Sequence, residues 1–149
     1  MNVSVRRYQE QDFSRVSALN SMRISGGYHA AVFIRQASVL FPATFLVAER
    51  AGDVIGFTIG ACEHDNPGNA WVLRLGVQEA SRRQQVGQRL LTGLIGIFRS
   101  MQVHRVYLSV SPENSPAIHL YGKFGFEKKE YKDAYFGEGE PRIIMHLDL

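Results

Sequence analysis

The sequence predicts a mixed α/β protein, one β-sheet of about seven strands with helices on both faces. Three observations carry that prediction. The hydrophobic period switches between strand-like and helix-like values in the order β-α-α-β-β-β-α-β-α-β-β. An apolar strand from Trp71 to Val77 runs through an arginine-bearing turn into a helix with one apolar face. A short second helix is framed by Asn114 and Pro116 at its start and Gly125 at its end.

In chain order, Val3 and Val5 alternate with Ser4 and Arg6, the pattern of a short strand. Asp12 opens a first helix on which Phe13, Val16, Leu19 and Met22 recur at helical spacing, and Gly26-Gly27 breaks it. A second helix spans about Tyr28 to Leu40. Its run Ala30, Ala31, Val32, Phe33, Ile34 is apolar enough to predict that part of it covers a groove or a partner. Pro42, which cannot continue a helix, stops it. Thr44 to Ala48 reads as a strand, Glu49 to Asp53 as a hairpin turn and Val54 to Cys62 as the return strand. Asp65 to Asn69, with Pro67 and Gly68, turns the chain into the strand at Trp71.

After the polar stretch Gln78 to Gln85, the residues Val86, Leu90, Leu91, Leu94, Ile95 and Phe98 fall on one helix face. Val103 to Val110 is a strand with Val106, Leu108 and Val110 on one side and Tyr107 and Ser109 on the other. Pro112-Glu113-Asn114 turns the chain, Asn114 caps the next helix, and Pro116 sits in its first turn, where a missing N–H costs nothing. Ala117, Leu120, Tyr121 and Phe124 form its buried face. Phe126 to Tyr131 and Arg142 to Leu147 are the last strands, joined across Gly137-Glu138-Gly139-Glu140-Pro141.

Composition narrows the function. At 149 residues, 45% hydrophobic and 21% charged, the chain fits one soluble domain, residues 1–149. No apolar run approaches ~20 residues, so no membrane span is predicted. The N-terminus reads as mature strand rather than a signal peptide. A single cysteine, Cys62, excludes an internal disulfide and suits a reducing cytoplasm. The histidines are scattered without metal-ligand spacing, so no metal is expected. A net charge of +3 is dispersed, without the basic stripe of a nucleic-acid binder. A homodimer stays open.

The strand–turn–helix at 71–98 is a physical device. A helix start offers unpaired N–H groups and the positive end of a dipole, and so attracts anions. Gly87 lets a ligand approach the backbone. The plainer reading is that Ser81 and Gln84, three apart, form a capping box and the arginines are solvated charges.

Two motifs carry a resemblance to the GNAT superfamily of acetyl-CoA-dependent N-acetyltransferases. Arg82-x-x-Gln85-Val86-Gly87 resembles the family's cofactor motif Arg/Gln-x-x-Gly-x-Gly/Ala. Asn114-Ser-Pro-Ala-Ile-His-Leu-Tyr121-Gly-Lys-Phe-Gly-Phe126 resembles the closing motif Asn-x-x-Ala-x-x-Leu-Tyr-x-x-x-Gly-Phe at every named position. The resemblance implies a splayed sheet, with the strand from Trp71 parting from the strand ending at Val110 and acetyl-CoA, as co-substrate, in the gap. It implies that Leu75 and Val77, flanking Gly76, pair their backbone with the pantetheine arm. Backbone N–H groups of Arg83, Gln84, Gln85, Val86, Gly87 and Gln88 would hold the pyrophosphate, with Arg82 beside them. Asn114 would reach the pantetheine, with Ala117 in the same cofactor set, and Tyr121 would protonate the departing thiolate. Gln85 stands where the motif has its first glycine, and a positive φ there costs a glutamine ~1 kcal/mol or more.

The segment Tyr131 to Met145 and the stretch Phe45-Leu-Val-Ala-Glu49 are similar to the branch that acetylates protein N-termini, including ribosomal-protein alanine N-acetyltransferases. Tyr135-Phe136 stands where that branch has a Tyr-Tyr pair lining the peptide slot, and Trp71 stands at a position that often carries a helper base. The expected substrate is a peptide N-terminal amine. A small-molecule amine is the alternative, and a non-catalytic CoA- or partner-binding module is the alternative of another class. Ser109 occupies the place, five residues before Asn114, where a glutamate or histidine base is common in that branch. Ser109 is therefore expected to position a water that passes the amine's proton to solvent or to Glu138 or Glu140.

Overall fold

The computed structural model describes residues 2–21, 27–82 and 85–149. Among these residues lie seven strands and four α-helices in the predicted order, and the strands join one mixed sheet in the order β1-β2-β3-β4-β5-β7-β6. The residues group into two compact units, 1–60 with 74–98 and 61–73 with 99–149.

In the first unit β1 (Ser4–Arg7) pairs antiparallel with β2 (Phe45–Arg50), which pairs antiparallel with β3 (Asp53–Cys62). The β2–β3 turn is tighter than the five residues expected. Ala51 and Gly52 both take positive φ, 53° and 84°, which closes a hairpin in two residues and lets the strands run to Arg50 and from Asp53. Helix α1 (Phe13–Ser21) follows a 3-10 turn, Glu10–Asp12, in which Gln9 and Asp12 form a capping box. Met22 and Gly26, expected at the end of that helix and in the break after it, lie outside the described residues.

Helix α2 (Gly27–Leu40) buries Ala30, Ile34 and Ala37 at three- and four-residue spacing, so its apolar run feeds this unit's core. Tyr28, Val39 and Leu40 are left exposed. Pro42 ends α2 in a 3-10 turn, Pro42–Thr44, as expected. Helix α3 (Val86–Ser100) buries the six apolar residues that its period marks: Val86, Leu90, Leu91, Leu94, Ile95 and Phe98. Burying six such side chains stabilises this unit by roughly 1.5–3 kcal/mol each.

In the second unit the start of β4 (Asn69–Val77) pairs parallel with β5 (Arg105–Val110) over Asn69 to Trp71 and Arg105 to Tyr107. β5 pairs antiparallel with β7 (Arg142–Asp148), and β7 with β6 (Glu127–Lys132). β5 begins two residues later than expected, because Gln102 takes φ 62° and the N–H groups of His104 and Arg105 both donate to the Gly68 carbonyl. Helix α4 (Ser115–Lys123) starts on Asn114, whose Oδ1 accepts from the Ala117 N–H at 3.3 Å. Gly125, at φ 96°, ends it. Val106, Leu108, Val110, Tyr121, Phe126, Ile144 and Met145 form this unit's core.

Candidate active site

The first unit carries the strand–turn–helix. Leu75 and Val77 are half-buried on β4, and Gly76 between them is buried. A Cβ on Gly76 would lie 2.6 Å from the Phe57 ring, so the packing of β3 on β4 requires this glycine. Past Val77, the Gln78 N–H donates to the Ile55 carbonyl at 2.8 Å, and a 3-10 turn, Glu79–Ser81, follows. Ser81 is fully buried, and its hydroxyl accepts from Arg50 Nη2 at 2.9 Å and Gln78 Nε2 at 2.8 Å. Arg15 on α1 reaches the Gln78 side chain and the Val54 carbonyl. Ser81 thus anchors the turn five residues before α3, and Gln84, its partner in the plainer capping-box reading, lies outside the described residues.

Gln85 takes φ 64°, the left-handed conformation its sequence position called into question. Its carbonyl accepts from the Arg89 N–H at 3.0 Å, the first turn of α3. The N–H groups of Val86, Gly87 and Gln88 therefore have no acceptor within the helix and face outward with the positive dipole end. A left-handed residue abutting a right-handed helix also gathers successive N–H groups into an anion-binding concavity. Arg82 is exposed, its Nε 3.4 Å from the Val77 carbonyl, and Gly87 is half-buried. Arg83 and Gln84, both expected in the cofactor set, lie outside the described residues. On β4, burial pulls the Arg74 guanidinium's proton affinity down, and the group stacks 4.7 Å from the Phe33 ring of α2.

The second unit carries the closing motif. The cap uses only the oxygen of Asn114, so its half-buried amide nitrogen retains two donors for a ligand. Ala117 is half-buried on the first turn. Tyr121 is 8% exposed, with its ring 5.8 Å from that of Phe126. Ser109 is half-buried opposite Ile144 of β7. Tyr135 and Phe136 pack on each other at 4.8 Å, beneath Lys132 and Arg142, and stay exposed. Glu138 is exposed, and the Glu140 carboxylate is engaged by Arg142 at 3.1 Å.

Trp71 has a partner the sequence did not announce. Its Nε1 donates to Glu63 Oε2 at 2.7 Å, and its ring stacks on Tyr107 at 5.1 Å, which in turn stacks on His146 at 6.3 Å. The signal that could have found Glu63 is the hairpin at Asp65–Asn69, whose closure sets Glu63 opposite Asn69. Cys62, next to it, is half-buried, and burial pushes its thiol pKa up, away from a reactive thiolate. Among the described residues no cluster of three metal-ligating side chains occurs, and no helix is long and apolar enough to cross a membrane.

The helix start of the first unit suits an anion such as a phosphate, and the second unit, taken by itself, presents an amide donor and a buried tyrosine. Residues 8–126 match the family described as the Acetyltransferase (GNAT) family. The chain is 26% identical to an N-alpha-acetyltransferase of Sulfurisphaera tokodaii, across 97% of this chain and 92% of that one. It is 30% identical to an L-2,4-diaminobutyric acid acetyltransferase of Virgibacillus pantothenticus over 60% of this chain and 55% of the relative. The crystal structure of Ard1 from Thermoplasma volcanium superposes with a TM-score of 0.90 at 24% identity, covering 100% of this chain and 99% of that one.

Proposed function

Because the chain belongs to the GNAT acetyltransferase family and is an N-acetyltransferase, we propose that it moves the acetyl group of acetyl-CoA onto the α-amine of a peptide or protein N-terminus. The observation that carries this reading is the similarity, along nearly the whole chain, to an N-alpha-acetyltransferase.

Chemistry favours the same amine. At pH 7 an α-amine of pKa ~7.7–8.0 needs only about 1 kcal/mol to lose its proton, while a lysine amine of pKa ~10.4 needs roughly 4–5 kcal/mol. Neither Ser109 nor Trp71 can take that proton, and whichever group does, the less basic amine sheds it at the lower cost.

In this reading the N–H groups at the start of α3 and the Gln85 turn take the pyrophosphate. Leu75 and Val77 offer backbone groups to the pantetheine arm, and Asn114 its amide donors. Tyr121 gives its proton to the thiolate, since a thiol of ordinary pKa ~8.5 leaves as an anion wanting a donor. Trp71, Tyr135 and Phe136 face the substrate. Residues 1–149 act as one catalytic domain.

The test is release of free CoA from acetyl-CoA against a panel of amines. Peptides with a free N-terminus should give the highest kcat/KM, above the same peptides N-terminally blocked but bearing lysine. A second reading, a small-molecule amine, is favoured by the similarity to a diaminobutyric acid acetyltransferase. A diamino acid or polyamine outrunning every peptide would establish that reading instead.

A further inference from the structure

We propose that Glu63 receives the proton the substrate amine must shed, held for that task by Trp71 and Asn69; this rests on the acetyl transfer to an amine proposed above. The reaction needs a proton acceptor, and most carboxylates that the structure orients are committed to cations. Asp12 and Glu49 hold Arg6, Glu10 holds Arg35, Asp148 holds Arg105, and Glu140 holds Arg142. A carboxylate bound to a cation has its charge and lone pairs engaged. Glu63 differs in kind. Its Oε2 accepts from the Trp71 indole at 2.7 Å and its Oε1 from the Asn69 amide at 3.4 Å, both uncharged donors. An ionised carboxylate offers about four lone-pair sites, so a water can still bind it.

Placement supports the role. Glu63 donates its backbone N–H to the Asn69 carbonyl at 2.9 Å, so the two side chains share a sheet face, and Trp71, two residues on, shares it too. Trp71 stacks on Tyr107, and Tyr107 and Ser109 alternate with the buried Val106, Leu108 and Val110. Glu63, Trp71, Tyr107 and Ser109 therefore lie on one face. Parallel strands that lead into helices gather ligands at their carboxyl ends, and Trp71–Tyr107 is the β4–β5 pair nearest those ends. The other titratable groups there are His64 and Asp65 on the same hairpin, the Arg105–Asp148 pair, and His146 and Lys129 against the Tyr107 ring.

The step balances. The amine nitrogen bonds to the acetyl carbon, and the C–S bond breaks with its electron pair going to sulfur. The thiolate takes the Tyr121 proton. The proton lost by nitrogen passes through one water to Glu63, then to solvent, from which Tyr121 regains its own.

The test compares variants on whichever amine the wild type acetylates fastest, so a non-peptide preference would contradict the peptide reading yet still test Glu63. Glu63→Gln keeps an acceptor for Trp71 but cannot take a proton. It should lower kcat/KM by ~10²-fold or more while acetyl-CoA affinity is unchanged. Glu63→Ala should be equally slow and should regain rate with added formate, which a packing role would not allow. Trp71→Phe, with the carboxylate present but unoriented, should fall between. A Glu63→Gln variant as fast as wild type, or a slow Glu63→Ala that formate does not rescue, would overturn the assignment.

Discussion

Gln85 holds a backbone conformation that most side chains avoid, with φ 64° immediately ahead of α3. A left-handed non-glycine residue costs ~1–2 kcal/mol. Gln85→Gly removes that cost but loosens the unfolded chain by ~0.4–1 kcal/mol, so the variant should be as stable as wild type or more stable by up to roughly 1.5 kcal/mol. Gln85→Val, β-branched, should lose ~1–3 kcal/mol in urea unfolding. A valine variant as stable as wild type would show that the turn relaxes freely. Asp12 makes a second residue-scale case. It is 4% exposed, and Arg6 grips it with Nη1 at 2.9 Å and Nη2 at 3.0 Å. Burial alone would raise its pKa, but the Arg6 hydrogen bonds, the Gln9 N–H and the Arg6 charge together outweigh it and hold the pKa below the ordinary value. A depressed folded pKa contributes stability above the unfolded value of ~3.9, and that stability is lost as pH falls through the folded value. Asp12→Asn should therefore cost roughly 1–3 kcal/mol at pH 7, and its deficit should shrink once the pH drops below ~4. A deficit constant with pH would contradict the pairing.

Elements carry their own test where β3, β4 and α3 meet. A Cβ on Gly76 would lie 2.6 Å from the ring of Phe57, which is 1% exposed and cannot swing away. Gly76→Ala should destabilise by ~1–3 kcal/mol. Phe57→Leu in the same chain should recover part of that loss, a coupling that a double-mutant cycle measures. Full stability in the single alanine variant would mean that the strand shifts instead. The six buried residues of α3 were legible in the sequence, because fifteen residues of amphipathic helix repeat their signal four times. The Asn114 cap was legible for a local reason: Asn, then Pro two residues on, then Gly after the apolar face. Strand ends were less legible. The β2–β3 turn and the start of β5 depend on positive φ at Ala51 and Gln102, which residue type alone does not announce.

For the molecule as a whole, the order of elements was readable because short connections separate clear changes of period. The family was readable because the closing motif matches along its length, and residues 8–126 match the family as a block. Side-chain partnerships between strands were not readable. Glu63 meets Trp71 only through hairpin register, and Ser81 is held by Arg50, 31 residues away in sequence. Substrate choice is least legible of all, since Tyr135 and Phe136, which we propose face the substrate, are exposed and their packing demands little of the sequence. The most direct measurement is therefore the position of the acetyl group. A peptide carrying both a free α-amine and a lysine is incubated with the enzyme and acetyl-CoA beside an equal concentration of a diamino acid, and all products are mapped by mass spectrometry. Acetyl on the peptide's α-nitrogen, with lysine and diamino acid nearly unmodified, is the expected result. An unmodified α-amine beside an acetylated diamino acid or lysine would contradict the central claim.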